Sequence, residues 1–350
     1  MTDHASRAHA DATEWQQFCA ASARIGRDMH LVQGAGGNVS LKSDGLMRIK
    51  ASGRWLSEAD SGDIFVPLDL DEARRRVAAG SEDYAACLLE GAQMRPSIET
   101  GMHAALPHRV VLHVHSVNVL AHATRERGEQ RLAQRLAAFR WAWIPYCRPG
   151  APLTNAILQR IDASSIEPIA LVLANHGLVV AADSIAAALG LLGALETALE
   201  SPPRPVANAE PPAHGPSVAQ AIGARPSGDR MIDTLALDAT SLAIAAKGAL
   251  YPDHVVFLGA VPAIRDQSGL QGFRWDDDPT APYVIVPQLG VLLRPDISAN
   301  ATAMLACWAM LASRLPGADG IVALPEQAIR DLTGWDAEKY RQSLERQTIH

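Results

Sequence analysis

Val110-Val111-Leu112-His113-Val114-His115 is the stretch on which the reading turns. Its β-branched, apolar run has the character of a buried strand, and alternate side chains of a strand project to one sheet face. His113 and His115 therefore share a face, where two imidazole nitrogens can reach a single metal ion. In a chain with 12 histidines, one such pair is weak evidence by itself, because partly buried histidines also serve structural ends. Towards the N-terminus, the pattern predicts a helix over Ala10–Ile25, a glycine-rich turn running into a strand over Val32–Lys42, and an alternating strand over Leu46–Ala51. Helices are expected over Asp71–Ala79, Glu82–Gly91 and Glu99–Leu106. Towards the C-terminus, Ile169–Ala174 reads as a second buried strand and Ser184–Leu199 as an alanine- and leucine-rich helix. Helices mixed with strands and joined by short turns imply an α/β layered domain.

The clearest boundary is Ser201 to Pro216, SPPRPVANAEPPAHGP, in which six of sixteen residues are proline. Such a stretch neither continues a helix nor pairs in a central strand, so a stiff linker or surface loop is expected. Beyond it, Met231–Lys247, Ser298–Leu315 and Trp335–Leu344 have helical patterns, and His254–Leu258 and Tyr283–Leu293 look like strands. The expected organisation is a domain over 1–200, a Pro-rich linker over 201–217 and a smaller α/β extension over 218–350.

Composition bounds the function. A length of 350 residues suggests two domains or one large domain plus an extension, and 48% hydrophobic with 20% charged residues is ample for a buried core. A net charge of −7 argues against broad binding to nucleic acid or to an anionic membrane. Cys19, Cys87, Cys147 and Cys307 are widely spaced, with no CxxC pair, as expected of reduced thiols in a cytoplasmic protein. Met1–Glu14 is polar, so no secretory leader is expected. The apolar stretch Ile166–Leu199 is interrupted by Glu167, Asn175, His176, Asp183 and Glu196 and reads as globular core.

Further candidates for chemistry lie at element ends. His176 sits in Asn175-His176-Gly177, past the strand Ile169–Ala174, where a turn presents side chains to a cleft. Glu99 stands where a helix begins after Pro96, a place where a carboxylate also simply complements the helix dipole. Gly34-Ala35-Gly36-Gly37-Asn38 fits neither the P-loop nor the dinucleotide fingerprint, leaving a turn of backbone N–H groups suited to an anion. Ser52-Gly53 forms a second polar turn, and Ser97 is a donor near a helix start.

Taken in order, GAGGNVS (Gly34–Ser40), KASG (Lys50–Gly53), SIETGMH (Ser97–His103), HVHS (His113–Ser116), IPYCRPG (Ile144–Gly150) and ANHG (Ala174–Gly177) resemble the zinc-dependent class II aldolase/adducin-head family over about residues 12–200. The resemblance implies a central, mostly antiparallel sheet flanked by helices. It implies Zn²⁺, Mn²⁺ or Co²⁺ held by His113, His115 and His176, with Glu99 completing the resting coordination and then serving as acid/base. It implies Tyr146 as a proton donor to the aldehyde-side oxygen, reaching in from a neighbouring subunit of a homotetramer. It places an anion on Gly37, Asn38, Ser52, Gly53 and Ser97. Lys50 and Arg54 could assist there, though surface charges are an equal reading. His103 lies one helical turn from Glu99 and is read as structural. The implied activity is retro-aldol cleavage of a ketose, with a sugar phosphate as the expected substrate, through a zinc-stabilised enediolate, and the implied class is a carbon–carbon lyase of carbohydrate metabolism. Ile98 stands where the phosphate aldolases of the family usually carry a second Ser or Thr, which keeps a sugar-acid decarboxylase, a dehydratase and a 4-epimerase in play. A non-catalytic, adducin-like module fits poorly, since the histidines and Glu99 are all retained and the chain ends QTIH without a basic tail.

A second resemblance lies in Tyr283–Leu293 (YVIVPQLGVLL) and Val322–Gln327 (VALPEQ). These look like the segment that follows the aldolase half of bifunctional rhamnulose-phosphate aldolase/dehydrogenase proteins, with Gln288 where those usually place Gly. The extension is accordingly expected to serve structure or assembly, with capping of the site mouth as a further role.

Overall fold

A computed structural model describes every residue except Met1, Gly62, 207–209, 276–281 and 349–350. Part of the Pro-rich stretch and the last two residues of the QTIH terminus thus lie outside the described residues. In chain order, the first elements are α1 (Thr2–Arg27), β1 (Asn38–Ser43), β2 (Leu46–Lys50), β3 (Phe65–Asp69), α2 (Leu70–Ala78), α3 (Thr100–Ala105) and β4 (Val110–Val114). Next come α4 (Val117–Ala123), α5 (Gly128–Arg135), β5 (Trp141–Ile144), α6 (Ala151–Leu158), β6 (Ile169–Leu173), β7 (Gly177–Ala182) and α7 (Ile185–Ala198). The remainder holds α8 (Gly215–Ala221), β8 (Arg225–Pro226), α9 (Arg230–Leu237), α10 (Ala239–Ala245), α11 (Pro252–Leu258), β9 (Tyr283–Val286) and β10 (Gly290–Leu293). It ends with α12 (Ala299–Arg314), α13 (Glu326–Thr333) and α14 (Asp336–Thr348).

A seven-stranded sheet in the order β3-β2-β1-β4-β7-β6-β5 organises the first part. Every described pairing in it is antiparallel except the β5–β6 edge, which is parallel. Local chemistry explains the hairpins. Asp44 and Gly45 join β1 to β2 with φ of 47° and 78°, the two left-handed positions that an Asp-Gly pair supplies in a tight hairpin. Asp69 caps α2 by accepting from the Glu72 amide. β4 lies in the middle of the order and is buried along its length, which accounts for its near-continuous apolar character. No helix is long and apolar enough to cross a membrane among the described residues. The four cysteines are free thiols, and Cys19, Cys87 and Cys307 are buried.

The chain divides into two compact units: Met1–Ser116, Ala133–Leu173 and Gly177–Ala198 in one, Val117–Leu132, Ala174–His176 and Leu199–His350 in the other. The second contains a three-stranded sheet, β8-β10-β9, with helices. Its core includes Tyr251, Tyr283, Trp308 and Leu311, all at most 1% exposed. There the buried guanidinium of Arg341 pairs with Asp253 at 3.1 Å and with Glu338 at 3.0 Å, satisfying a charge that would be costly alone.

Several local expectations are corrected. Glu82–Gly91 is not a helix: only the short 3₁₀ turn Ala85–Cys87 forms, because Leu88 bridges to Leu68 and the Leu89 amide donates to Pro67 O as a strand neighbour would. His254–Leu258 is helical, as part of α11. Pro252 starts that helix with its fixed φ and Gly259 ends it at φ 94°, which overrides the β-branched Val255-Val256 pair. Met231–Lys247 breaks into two helices at Asp238, whose extended backbone and carboxylate cap α10 through the Ser241 amide. Tyr283–Leu293 folds back on itself as the β9–β10 hairpin, with Gln288 at φ 63° in the turn.

Candidate metal centre

Strand register brings the site residues to one face. Asn38 and Ser40 of β1 lie opposite His113 and Val111 of β4, and these lie opposite Val179 and Ala181 of β7. Directly opposed residues share a sheet face. The apolar members, Val111, Val179 and Ala181, pack in one core cluster with Met102 and Leu106 of the α3 region and Leu153 and Ile157 of α6. His113 therefore points to the helix-covered face, and Glu99, the residue immediately before α3, meets it there: Glu99 Oε2 is 3.3 Å from His113 Nε2. His115 lies just past the end of β4, two residues on. His176 lies in the turn between β6 and β7, next to Gly177. A Cβ on Gly177 would stand 2.4 Å from the Val114 carbonyl oxygen, so glycine is what lets this turn approach the histidine strand.

The ring nitrogens of His113, His115 and His176 consequently lie within 4.8 Å of one another, and all three residues are buried. The donor set fits a divalent ion. His113 Nδ1 donates to Leu178 O at 3.1 Å, which leaves Nε2 as the lone-pair nitrogen, the usual arrangement for a ligating imidazole. That nitrogen faces a carboxylate oxygen, a pairing in which one metal ion can take both groups as ligands. Three imidazoles and a carboxylate suit Zn²⁺, Mn²⁺ or Co²⁺ alike.

Glu99 is held from β1. Asn38 Nδ2 donates to Glu99 Oε2 at 2.7 Å, and Asn38 Oδ1 accepts from His103 Nε2 at 2.5 Å. Burial pushes His103 down to about 3, so the ring is neutral and has one N–H. With that proton committed to Asn38, His103 Nδ1 accepts from the Ser40 hydroxyl at 2.7 Å. Lys42, next on the same face of β1, donates to Leu106 O and, at 2.9 Å, to His108 O, past the C-terminal end of α3. Burial lowers its ammonium to about 7. Asn38, Ser40 and Lys42 thus grip both ends of the helix that presents Glu99. His103 is linked to the carboxylate through Asn38, whose side chain is committed to Glu99 and His103.

The turns expected to receive an anion form a connected group. Lys50 is 2% exposed and is no surface charge: Nζ donates to Ala35 O at 2.9 Å and Arg54 O at 2.6 Å, tying the glycine turn to the Ser52–Arg54 turn. Its carbonyl accepts from the Ser97 amide at 3.2 Å, while Ser97 Oγ accepts from the Glu99 amide at 3.2 Å. The Ser52 hydroxyl is buried without a hydrogen-bond partner among the described residues, and Gly53 has φ 76°. Arg54 is exposed and Ile98 half-buried. Tyr146 follows β5 at the sheet edge and is half-buried.

Gly37 is required by its position as well as by its turn. Its φ is 59°, and a Cβ there would lie 2.8 Å from the His113 carbonyl oxygen. Gly37→Ala is expected to destabilise the fold by about 2–5 kcal/mol, combining left-handed strain with overpacking. The urea-unfolding midpoint checks this, and an unchanged midpoint would contradict the close approach.

Comparison with known proteins identifies the family. The profile of the Class II Aldolase and Adducin N-terminal domain matches residues 16–201, just over half of the chain. The chain therefore belongs to the class II aldolase and adducin family. Among curated proteins, it is 31% identical over 171 residues to "Uncharacterized oxidoreductase YuxG" of Bacillus subtilis (strain 168), covering 44% of this chain and 24% of that protein. The chain thus spans about a quarter of that relative's length. Among solved structures, it is similar to the N-terminal class II aldolase domain of a conserved Thermoplasma acidophilum protein, at 25% identity and TM-score 0.44, covering 52% of this chain and 89% of that one. It is also similar to YgbL of Klebsiella pneumoniae, a putative aldolase/epimerase/decarboxylase, at 21% identity and TM-score 0.38, covering 53% and 87%. An L-fuculose 1-phosphate aldolase is similar at 20% identity and TM-score 0.37, covering 52% and 82%. The family match ends at residue 201, so the resemblance read in Tyr283–Leu293 and Val322–Gln327 rests on the sequence alone.

Proposed function

We propose that this chain is a metal-dependent lyase that cleaves a phosphorylated ketose by a reversible retro-aldol reaction. The observation that carries the reading is the buried convergence of His113, His115 and His176, with Glu99 Oε2 placed 3.3 Å from His113 Nε2. These four residues would hold the ion, which supplies Lewis-acid polarisation of the substrate's carbonyl and hydroxyl oxygens when bound. Glu99 then has the proton chemistry. In synthesis its carboxylate would remove a proton from C3 of the three-carbon ketone, and in cleavage the carboxyl so formed would return a proton to C3 once the C3–C4 bond has broken. In synthesis the hydroxyl of Tyr146 from a neighbouring subunit in a homotetramer would give its proton to the aldehyde-side oxygen, and in cleavage the resulting phenolate would take the C4 hydroxyl proton back as the aldehyde forms. Gly37, Ser52, Gly53 and Ser97 receive the phosphate, and the buried Ser52 hydroxyl has a donor to offer. Asn38 serves the carboxylate through its side chain rather than the anion.

Ile98 favours a second reading, a sugar-acid decarboxylase or dehydratase on the same ion, or a 4-epimerase. An isoleucine offers no hydroxyl to a phosphate, at a cost of about 1 kcal/mol per lost hydrogen bond. The deciding experiment is metal analysis of the purified chain with an aldol screen, offering dihydroxyacetone phosphate, dihydroxyacetone and pyruvate with a panel of aldehydes, with and without chelator. Product from the phosphate donor alone, lost on chelation, is the expected result. One metal per chain without any aldol product would sink the aldolase reading in favour of the second.

A further inference from the structure

The turn that carries His176 is held by backbone from beyond the family match. Asn175 is a non-glycine residue at φ 50° and is 5% exposed. Its amide nitrogen donates to two carbonyl oxygens, Leu250 O at 2.9 Å and Val322 O at 2.7 Å, and its backbone N–H donates to Ala123 O at 3.1 Å. Both side-chain N–H bonds of the amide are therefore used. The acceptors are themselves fixed. Val322 N donates to Thr124 O at 2.8 Å, Glu126 N donates to Gly320 O at 2.8 Å, and Arg125 bridges to Ile321. Leu324 N donates to Ala249 O at 2.8 Å, which ties the two acceptor segments to each other, and Leu250 is fully buried. All of these residues belong to the same compact unit as the 174–176 turn.

We infer that residues 249–251 and 320–324 are a structural part of the metal centre, acting through Asn175 as a positioning residue for the His176 imidazole. The inference rests on the metal-binding reading of the three histidines. It gives the 218–350 segment a task that neither the family match nor the anion turns assign: it orders in advance the turn that supplies the third ligand. A ligand already ordered loses less freedom when the ion arrives, and support of this kind is worth about 10–100-fold in metal affinity.

The test uses the full-length chain and Co²⁺ or Zn²⁺ alone as probe. Asn175→Gly keeps the left-handed backbone and removes the clamp, and Asn175→Asp keeps size and turn preference but sets an acceptor against two carbonyls. Both variants are expected to retain the wild-type far-ultraviolet spectrum, to bind Co²⁺ about 10–100-fold more weakly, and to show an altered visible Co²⁺ band. A folded variant with wild-type affinity and spectrum overturns the inference alone. A wild-type chain that binds no metal overturns the metal centre itself, and the inference falls with it. Hydrogen exchange on the wild type gives a reading that needs no variant: Zn²⁺ should slow exchange at 249–251 and 320–324 together with 174–176. Protection confined to the turn and the histidine strand counts against the inference.

Discussion

Replacing Glu99 by glutamine is expected to lower turnover by about 10²–10⁴-fold, the usual worth of a positioned acid/base. The substitution keeps the shape of the side chain and removes its ability to exchange a proton. The carboxylate is 3% exposed and accepts from Asn38 Nδ2 at 2.7 Å, so the amide has a cavity of the right form to occupy. The fold should therefore survive, with an unfolding midpoint near that of the wild type. Metal should also remain, because three imidazoles stay in place. The decisive measurement is turnover on whichever donor the aldol screen identifies, read beside metal content. Metal retained with undiminished turnover would remove Glu99 from the chemistry and leave it a resting ligand. Loss of both would make it chiefly a ligand.

His113→Ala has its largest effect on metal binding. Closed zinc sites with four ligands contribute about 10–16 kcal/mol, so one ligand is worth on the order of 3 kcal/mol, or roughly 100-fold in affinity. His113 has a second task, since Nδ1 donates to Leu178 O on the neighbouring strand, and alanine leaves that buried carbonyl without its side-chain donor. The expected result is loss of metal on dialysis, together with loss of the rise in Tm that excess Zn²⁺ produces in the wild type. A variant that still gains Tm with Zn²⁺ as the wild type does would show that the ion binds elsewhere. His115→Ala, two residues on, should behave similarly towards metal without the Leu178 component.

The polar support of Glu99 shows how far one sequence can be read. Asn38-Val39-Ser40-Leu41-Lys42-Ser43 alternates polar and apolar residues, the pattern of a strand with one wet face, yet Asn38, Ser40 and Lys42 are all buried. Nothing local says that α3 covers this face. The polar groups there bind His103, Glu99 and the carbonyls at the far end of the helix, all contacts made across more than 60 positions of chain. Lys50 is a similar case, a charge that resembles surface until its two carbonyl partners are known. The failures in Glu82–Gly91 and His254–Leu258 have the same source. Propensity and periodicity describe a segment alone, while a strand neighbour at Leu68 or a proline at the helix start decides between near-equal states.

What the sequence determined by itself was the set of chemical parts and the strand that carries His113 and leads directly into His115. Period-two spacing places two residues on one face only while the strand lasts, and β4 ends at Val114, so the 5.0 Å approach of the His113 and His115 rings also depends on the chain beyond it. The motifs around Gly37, Glu99 and His176 named the remaining parts and the family. Only the tertiary structure decided that these parts converge. Sheet register sets Asn38 against His113, the absence of a Cβ at Gly177 lets the turn reach Val114, and two distant carbonyls hold Asn175 beside His176. Each of these is a contact between residues far apart in the chain, and its free energy depends on distances that exist only after folding.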